Sequence, residues 1–209
     1  MTRRDPLLRW SSPARPDKQA VELLSAGVDG PALELSMRRV ASQLGNARFL
    51  VVNVESVDIG DLRTAIEAFL VAGGGARVCL AGDRKTLGRI DAAMFDGDHV
   101  GLMLDAVDAD TPCADLVWDR IEAVRFRAAF VVGAASNVRL GCALESMLGL
   151  ARDIGLCTLG ANALPGGASL GGRADFDYLP VEEPLLGSAH EPQRLPNCTS
   201  QRIAATLSR

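Results

Sequence analysis

The chain has 209 residues, 48% apolar and 23% charged, a composition that suits one folded domain and excludes wholesale disorder. A net charge of -4 argues against a general nucleic-acid or anionic-membrane surface. No apolar run is long enough for a bilayer span, and Met1–Pro6 is not followed by the apolar segment of a signal peptide, so a soluble, cytoplasmic protein is expected.

In chain order, strand-like apolar runs fall at Leu7–Trp10, Phe49–Val54, Ala76–Ala81, Val100–Asp105, Ala123–Arg127, Cys157–Ala161 and Asp177–Val181. Helix-period segments lie between them. Leu140, Leu144, Met147, Leu148, Ala151 and Ile154 share one helical face, and Gly155 stops that helix just before the next strand. Strands without polar alternation, separated by helices, indicate a parallel sheet covered on both faces. The repeated unit fits a (β/α) barrel better than an open doubly wound sheet. A typical barrel takes about 250 residues, so this one is expected to be trimmed or incomplete. Residues 1–185 form the barrel domain in this reading. Residues 186–209, broken by Pro192 and Pro196, form a polar C-terminal tail.

Several short motifs have ordinary explanations. Gly73-Gly74-Gly75 follows a helix and precedes a strand, the reverse of a phosphate loop, and reads as a helix-ending turn. Gly167-Ala168-Ser169-Leu170-Gly171 has the GxSxG spacing of a nucleophile elbow, with His190 downstream, but it lacks the strand-to-helix setting and reads as a loop. Only His99 and His190 are histidines, which excludes a multi-histidine metal site. The five cysteines form no CxxC pair; Cys79 and Cys157 lie in apolar strands and read as buried thiols in a reducing compartment. Asp105, Asp108 and Asp110 crowd one strand end, with Asp115 and Asp119 beyond. Their spacing fits no calcium loop, and helix capping accounts for much of it. Only Lys18 and Lys85 are lysines against many arginines, which reads as the bias of a GC-rich bacterial genome.

The order of several segments resembles the EAL-type cyclic-di-GMP phosphodiesterase domains. Asp5-Pro6-Leu7-Leu8-Arg9-Trp10 is similar to the EALLRW signature, and Val51-Val52-Asn53-Val54-Glu55-Ser56 to the VNLS strand. Leu104-Asp105-Ala106 falls where the family has LDDFGTG. Ile121–Val131 tracks VDVLKIDRSFV, Leu148–Leu156 tracks IALARSLGL, and Asp177-Tyr178-Leu179 with Pro184 is similar to the closing QGYLFxxP. The resemblance spans residues 5–185 and implies a (β/α) barrel with its site at the C-terminal ends of the strands. It implies hydrolysis of cyclic di-GMP by two divalent cations held on convergent carboxylates.

The departures from that pattern imply a degenerate domain. Asp5 stands for the signature glutamate, Ala81 for a later strand-end glutamate, Ala106 for the second aspartate of the pair, and Ala161 for the glutamate of the AEG segment. Arg125 replaces a lysine and Phe176 a glutamine. Only Asp5, Asn53 and Asp105 match ligand positions, too few for two magnesium ions. No cofactor and no metal are therefore expected. The resemblance implies a non-catalytic regulatory protein acting on an unidentified protein partner in bacterial signalling, with a homodimer by analogy. Two alternatives stay open. One is an effector that binds cyclic di-GMP through a remnant site of Asp5, Arg9, Asn53, Asp105, Arg125 and Phe176, where Arg9 reads equally well as a snorkelling arginine at the barrel bottom. The other is a residual phosphodiesterase using Asp5, Asn53, Asp105 and Asp108 on one metal.

Overall fold

A computed structural model describes residues 7–12, 15, 18–23, 30–45, 47–55, 57–90, 99–160 and 176–181. The signature-like Asp5, the Ala161 position, the Gly167–Gly171 motif, His190 and the expected tail at 186–209 lie outside the described residues.

The strands are β1 (Leu7–Ser11), β2 (Gln19–Leu23), β3 (Ala47–Asn53), β4 (Arg77–Gly82), β5 (Val100–Val107), β6 (Ile121–Phe126), β7 (Cys157–Gly160) and β8 (Leu179–Pro180). The helices are α1 (Gly30–Ala41), α2 (Ile59–Val71), α3 (Arg84–Gly88), α4 (Cys113–Leu116), α5 (Ala128–Ser136) and α6 (Val138–Asp153). The sheet runs in the order β7-β6-β5-β4-β3-β2-β1-β8. Strands β2 to β7 are parallel, whereas β1 is antiparallel to both β2 and β8. Tyr178 bridges to Leu159 of β7 through two backbone hydrogen bonds of 3.0 and 3.1 Å, which brings the ends of the sheet together. The result is a trimmed, nearly closed (β/α) barrel.

Strand alternation sorts the side chains into two cores. Trp10, Ala20, Val51, Cys79, Ala81, Met103, Ala123, Leu159 and Tyr178 fill the barrel. Large groups such as Trp10, Met103 and Tyr178 meet small ones such as Ala20, Ala81 and Ala123, as a narrow barrel demands. The intervening residues, among them Val21, Leu50, Leu80, Leu102 and Val124, face outward against Leu33, Met37, Phe69 and Leu148 of the helices. Side-chain caps start the longer helices: Asp58 Oδ1 accepts from the Gly60 N–H at 2.8 Å, and Asn137 Oδ1 from the Arg139 N–H at 2.9 Å. Gly73, with φ of 81°, ends α2 as the glycine run predicted.

The sequence reading missed β2. Gln19-Ala20-Val21-Glu22-Leu23 carries the charged Glu22 among its apolar residues, which hides it from a reading of apolar runs. The hairpin that makes it a strand is closed by the Ser12 N–H donating to the Lys18 carbonyl at 3.1 Å. At the far end of the sheet, a Cβ on Gly160 would lie 2.9 Å from both Leu179 and Phe176. Only glycine lets the closing segment lie so near β7.

Burial raises the pKa of the Cys79 thiol, with the Glu122 charge adding to it. Burial, aided by the Asp177 charge, pushes Cys157 up to about 12. Both thiols therefore stay protonated and unreactive at neutral pH. With a thiol reagent at pH 8, Cys113 and Cys142, which are exposed, should label rapidly in the native protein. Cys79 and Cys157 should label only on unfolding, as peptide mapping by mass spectrometry would report.

Candidate functional site: an arginine clamped between two carboxylates

Parallel strands β3 to β7 bring their C-terminal ends to one mouth of the barrel. Asn53 is the last residue of β3, and Asp105 and Arg125 lie near the ends of β5 and β6. Asn53, Asp105 and Arg125 thus share this end; Asp5, expected beside them, lies outside the described residues.

Arg125 organises the mouth. Its Nε donates to Asp105 Oδ1 at 2.7 Å, and Nη2 donates to Asp105 Oδ2. Its Nη1 turns the other way and donates to Glu22 Oε1 at 2.5 Å. The side chains of Arg125, Glu22 and Asp105 are 13%, 7% and 14% exposed, so the pairing is largely shielded from water. Burial works against the charge on Arg125, but the Asp105 and Glu22 carboxylates outweigh it and raise its pKa above the ordinary arginine value. The guanidinium is permanently charged. All three of its nitrogens are committed to carboxylates.

Asp105 is aimed by an irregularity in β5. The β5–β6 register shifts between Leu104 and Val107, and Ala106 takes a φ of 56°, an uncommon conformation for a residue with a Cβ. The Ala106 N–H donates to Asp105 Oδ1 at 2.5 Å. Asp108, just beyond, pairs with Arg127 at 3.1 Å and accepts from the Asp110 N–H at 3.1 Å. Much of the acidic cluster is therefore turn chemistry, with Asp115 instead beside Arg84 at 3.7 Å. Asp115 lies in the first turn of α4, as expected of a helix N-terminal aspartate, although the N-cap itself is Pro112, which makes no side-chain cap.

Three of the other sequence candidates stand apart from this clamp. Asn53 Oδ1 accepts from the Glu55 N–H at 3.0 Å, shaping its own loop. Arg9 alternates with Leu8, which packs on the barrel interior, and with Trp10, which lies within it, and its partner across the hairpin is Val21 of the outer core. Its side chain is directed to the outer face rather than the mouth. Phe176 is 6% exposed and stacks edge-on against Phe126 at 5.7 Å in the outer core; it fills space instead of offering a face to a ligand.

Glu22 is the mouth residue that the sequence reading did not find. The signal was present: Glu22-Leu23-Leu24 is itself an acidic residue followed by apolar ones. Its strand β2 runs parallel to β3, whereas Leu7–Trp10, read as part of the signature, form the antiparallel β1.

Solved structures share this architecture. PaMucR phosphodiesterase, in a cyclic-di-GMP complex, aligns over 83% of this chain and 88% of its own, with 13% identity and a TM-score of 0.61. The EAL domain of Xanthomonas citri FimX, also in complex with cyclic di-GMP, aligns over 85% of each chain with 14% identity and a TM-score of 0.62. The EAL domain of Mycobacterium smegmatis DcpA aligns over 84% of this chain and 90% of its own, with 14% identity and a TM-score of 0.59. The fold is that of an EAL domain. No protein-family model matches the sequence, and no curated relative does.

Among the described residues, this mouth offers few oxygen ligands for the two divalent cations implied by the resemblance to catalytic EAL domains. Ala81 is fully buried and turned into the barrel, and Ala106 has no donor to offer. Among the described residues, no three His, Cys, Asp or Glu side chains gather to hold an ion. The two carboxylates that do converge are joined by a guanidinium.

Two substitutions test this geometry by urea denaturation. Arg125→Met leaves two carboxylates facing each other and should cost about 3–5 kcal/mol, most of it recovered when Glu22→Gln and Asp105→Asn are added. Ala106→Gly should relieve about 1–2 kcal/mol of left-handed strain against about 0.5–1 kcal/mol of added chain entropy, a net gain of up to about 1.5 kcal/mol.

Proposed function

We propose that this chain is a non-catalytic EAL-like regulatory protein acting through contacts with a protein partner in bacterial signalling, with weak or no binding of cyclic di-GMP. The observation that carries the reading is the Arg125 clamp. A phosphate ligand at the mouth needs free positive donors, yet each nitrogen of Arg125 is already committed to Asp105 or Glu22. The clamp also carries one positive charge against two negative ones, which opposes the approach of a dianion. Hydrolysis needs several convergent ligands for two metals; Ala81 and Ala106 supply none. In this reading Glu22, not Asp5, occupies the position of the signature glutamate, and its carboxylate serves the ion pair.

A second reading is an effector that binds cyclic di-GMP without hydrolysing it. What favours it is that PaMucR and the FimX domain, both of this fold, are complexes with that ligand.

Calorimetric titration with cyclic di-GMP, with and without magnesium, separates the readings. The expected result is binding weaker than micromolar in both conditions and no linear product by chromatography after incubation with magnesium or manganese. Micromolar or tighter binding would favour the effector. Turnover that disappears in Asp105→Ala would overturn the non-catalytic reading.

A further inference from the structure

The two carboxylates of the clamp come from opposite parts of the chain. Glu22 lies 103 residues before Arg125, and Asp105 lies 20 before it, and both are largely buried. Carboxylate oxygens converging at a strand-end mouth are a natural setting for a hard divalent cation. Here a cation is already present, and it is a side chain.

We propose that the guanidinium of Arg125 is a built-in cation occupying the position where this mouth would otherwise take a divalent metal, so that one side chain closes the site to metal while Glu22 and Asp105 retain the capacity to hold one. The proposal rests on the non-catalytic reading above and deepens it. Arginine suits this role better than the lysine of the resemblance. Its fork holds both Asp105 oxygens and still has a third nitrogen for Glu22, and it does not release its proton to make way for an ion. Lysine, a compact point charge on a flexible stem, can swing aside. Removing Arg125 leaves two unneutralised carboxylates in a mouth poorly reached by water, and a divalent cation is the charge that relieves them. Asp108, the next carboxylate along the loop, is held by Arg127 and the Asp110 and Thr111 turn, so the gain should depend on Glu22 and Asp105.

Manganese(II) is the probe, followed by loss of the free-ion electron paramagnetic resonance signal and by the shift of the thermal unfolding midpoint. The full chain is compared with its Arg125→Ala, Arg125→Gln and Arg125→Lys variants. The Ala and Gln variants should take up about one manganese per chain, with affinity about tenfold or more above wild type, equivalent to ~1.4 kcal/mol. Manganese should raise the unfolding midpoint of these two variants and not of wild type, and adding Asp105→Asn should remove both effects. Wild type should leave the ion free, and Arg125→Lys, whose ammonium can swing aside, should take up the ion more than wild type but less than the Ala and Gln variants. If the Ala and Gln variants are unfolded without metal, refolding on manganese addition is the expected result, and failure to refold overturns the proposal. Equal uptake by wild type and both variants also overturns it. If that uptake is lost in Asp105→Asn, the non-catalytic reading is weakened too; if neither wild type nor variants take up manganese, only the built-in cation is refuted.

Discussion

The guanidinium of Arg125 ties three strands together from inside the mouth: its own β6, the neighbouring β5 through Asp105, and the distant β2 through Glu22. Backbone pairing joins β5 to β6, but β2 meets neither of them along the ladder. The ion pair to Glu22 therefore spans the interior, and it must be satisfied for that interior to exclude water. Asp105 reaches the guanidinium from the irregular stretch of β5, where the Ala106 N–H also holds its carboxylate.

Most of the architecture was legible because parallel strands covered on both faces leave dense apolar runs. Phe49–Val54 and Val100–Asp105 were recognisable on that ground, and their ends fall within two residues of β3 and β5. The periodic face of α6 was recognisable too, although Ile154, assigned to it, is 43% exposed beyond the helix end. β2 was illegible for a specific physical reason. Its decisive residue is a buried charge, and hydrophobic pattern assigns charge to the surface unless the partner is known. That partner lies 103 residues away. In the sequence Arg125 reads as a phosphate contact. No spacing in the sequence reveals that each of its nitrogens already serves a carboxylate.

Phe176 and Arg9 illustrate a related limit. Each is placed by its position in a resemblance, whereas packing puts Arg9 across from Val21 and Phe176 against Phe126. A strand residue's face follows from its register with its neighbours, so Val21 across from Arg9 carries information that a linear match does not, as does the ring of Phe126 against Phe176.

The joint between β7 and β8 has a consequence of its own. Elsewhere around the wall each strand is laced to the next over four or more residue pairs, but here, among the described residues, Tyr178 alone forms a backbone bridge to β7, and β8 meets β1 at two positions. The Asp177 carboxylate strengthens the joint by accepting from the backbone N–H and hydroxyl of Thr158, both at 2.8 Å. A ring sewn so lightly at one place behaves, under load, as a rolled sheet with a clasp. The Asp177–Thr158 contact is the clasp, and releasing it would expose two raw strand edges, the kind of surface on which chains pair with one another.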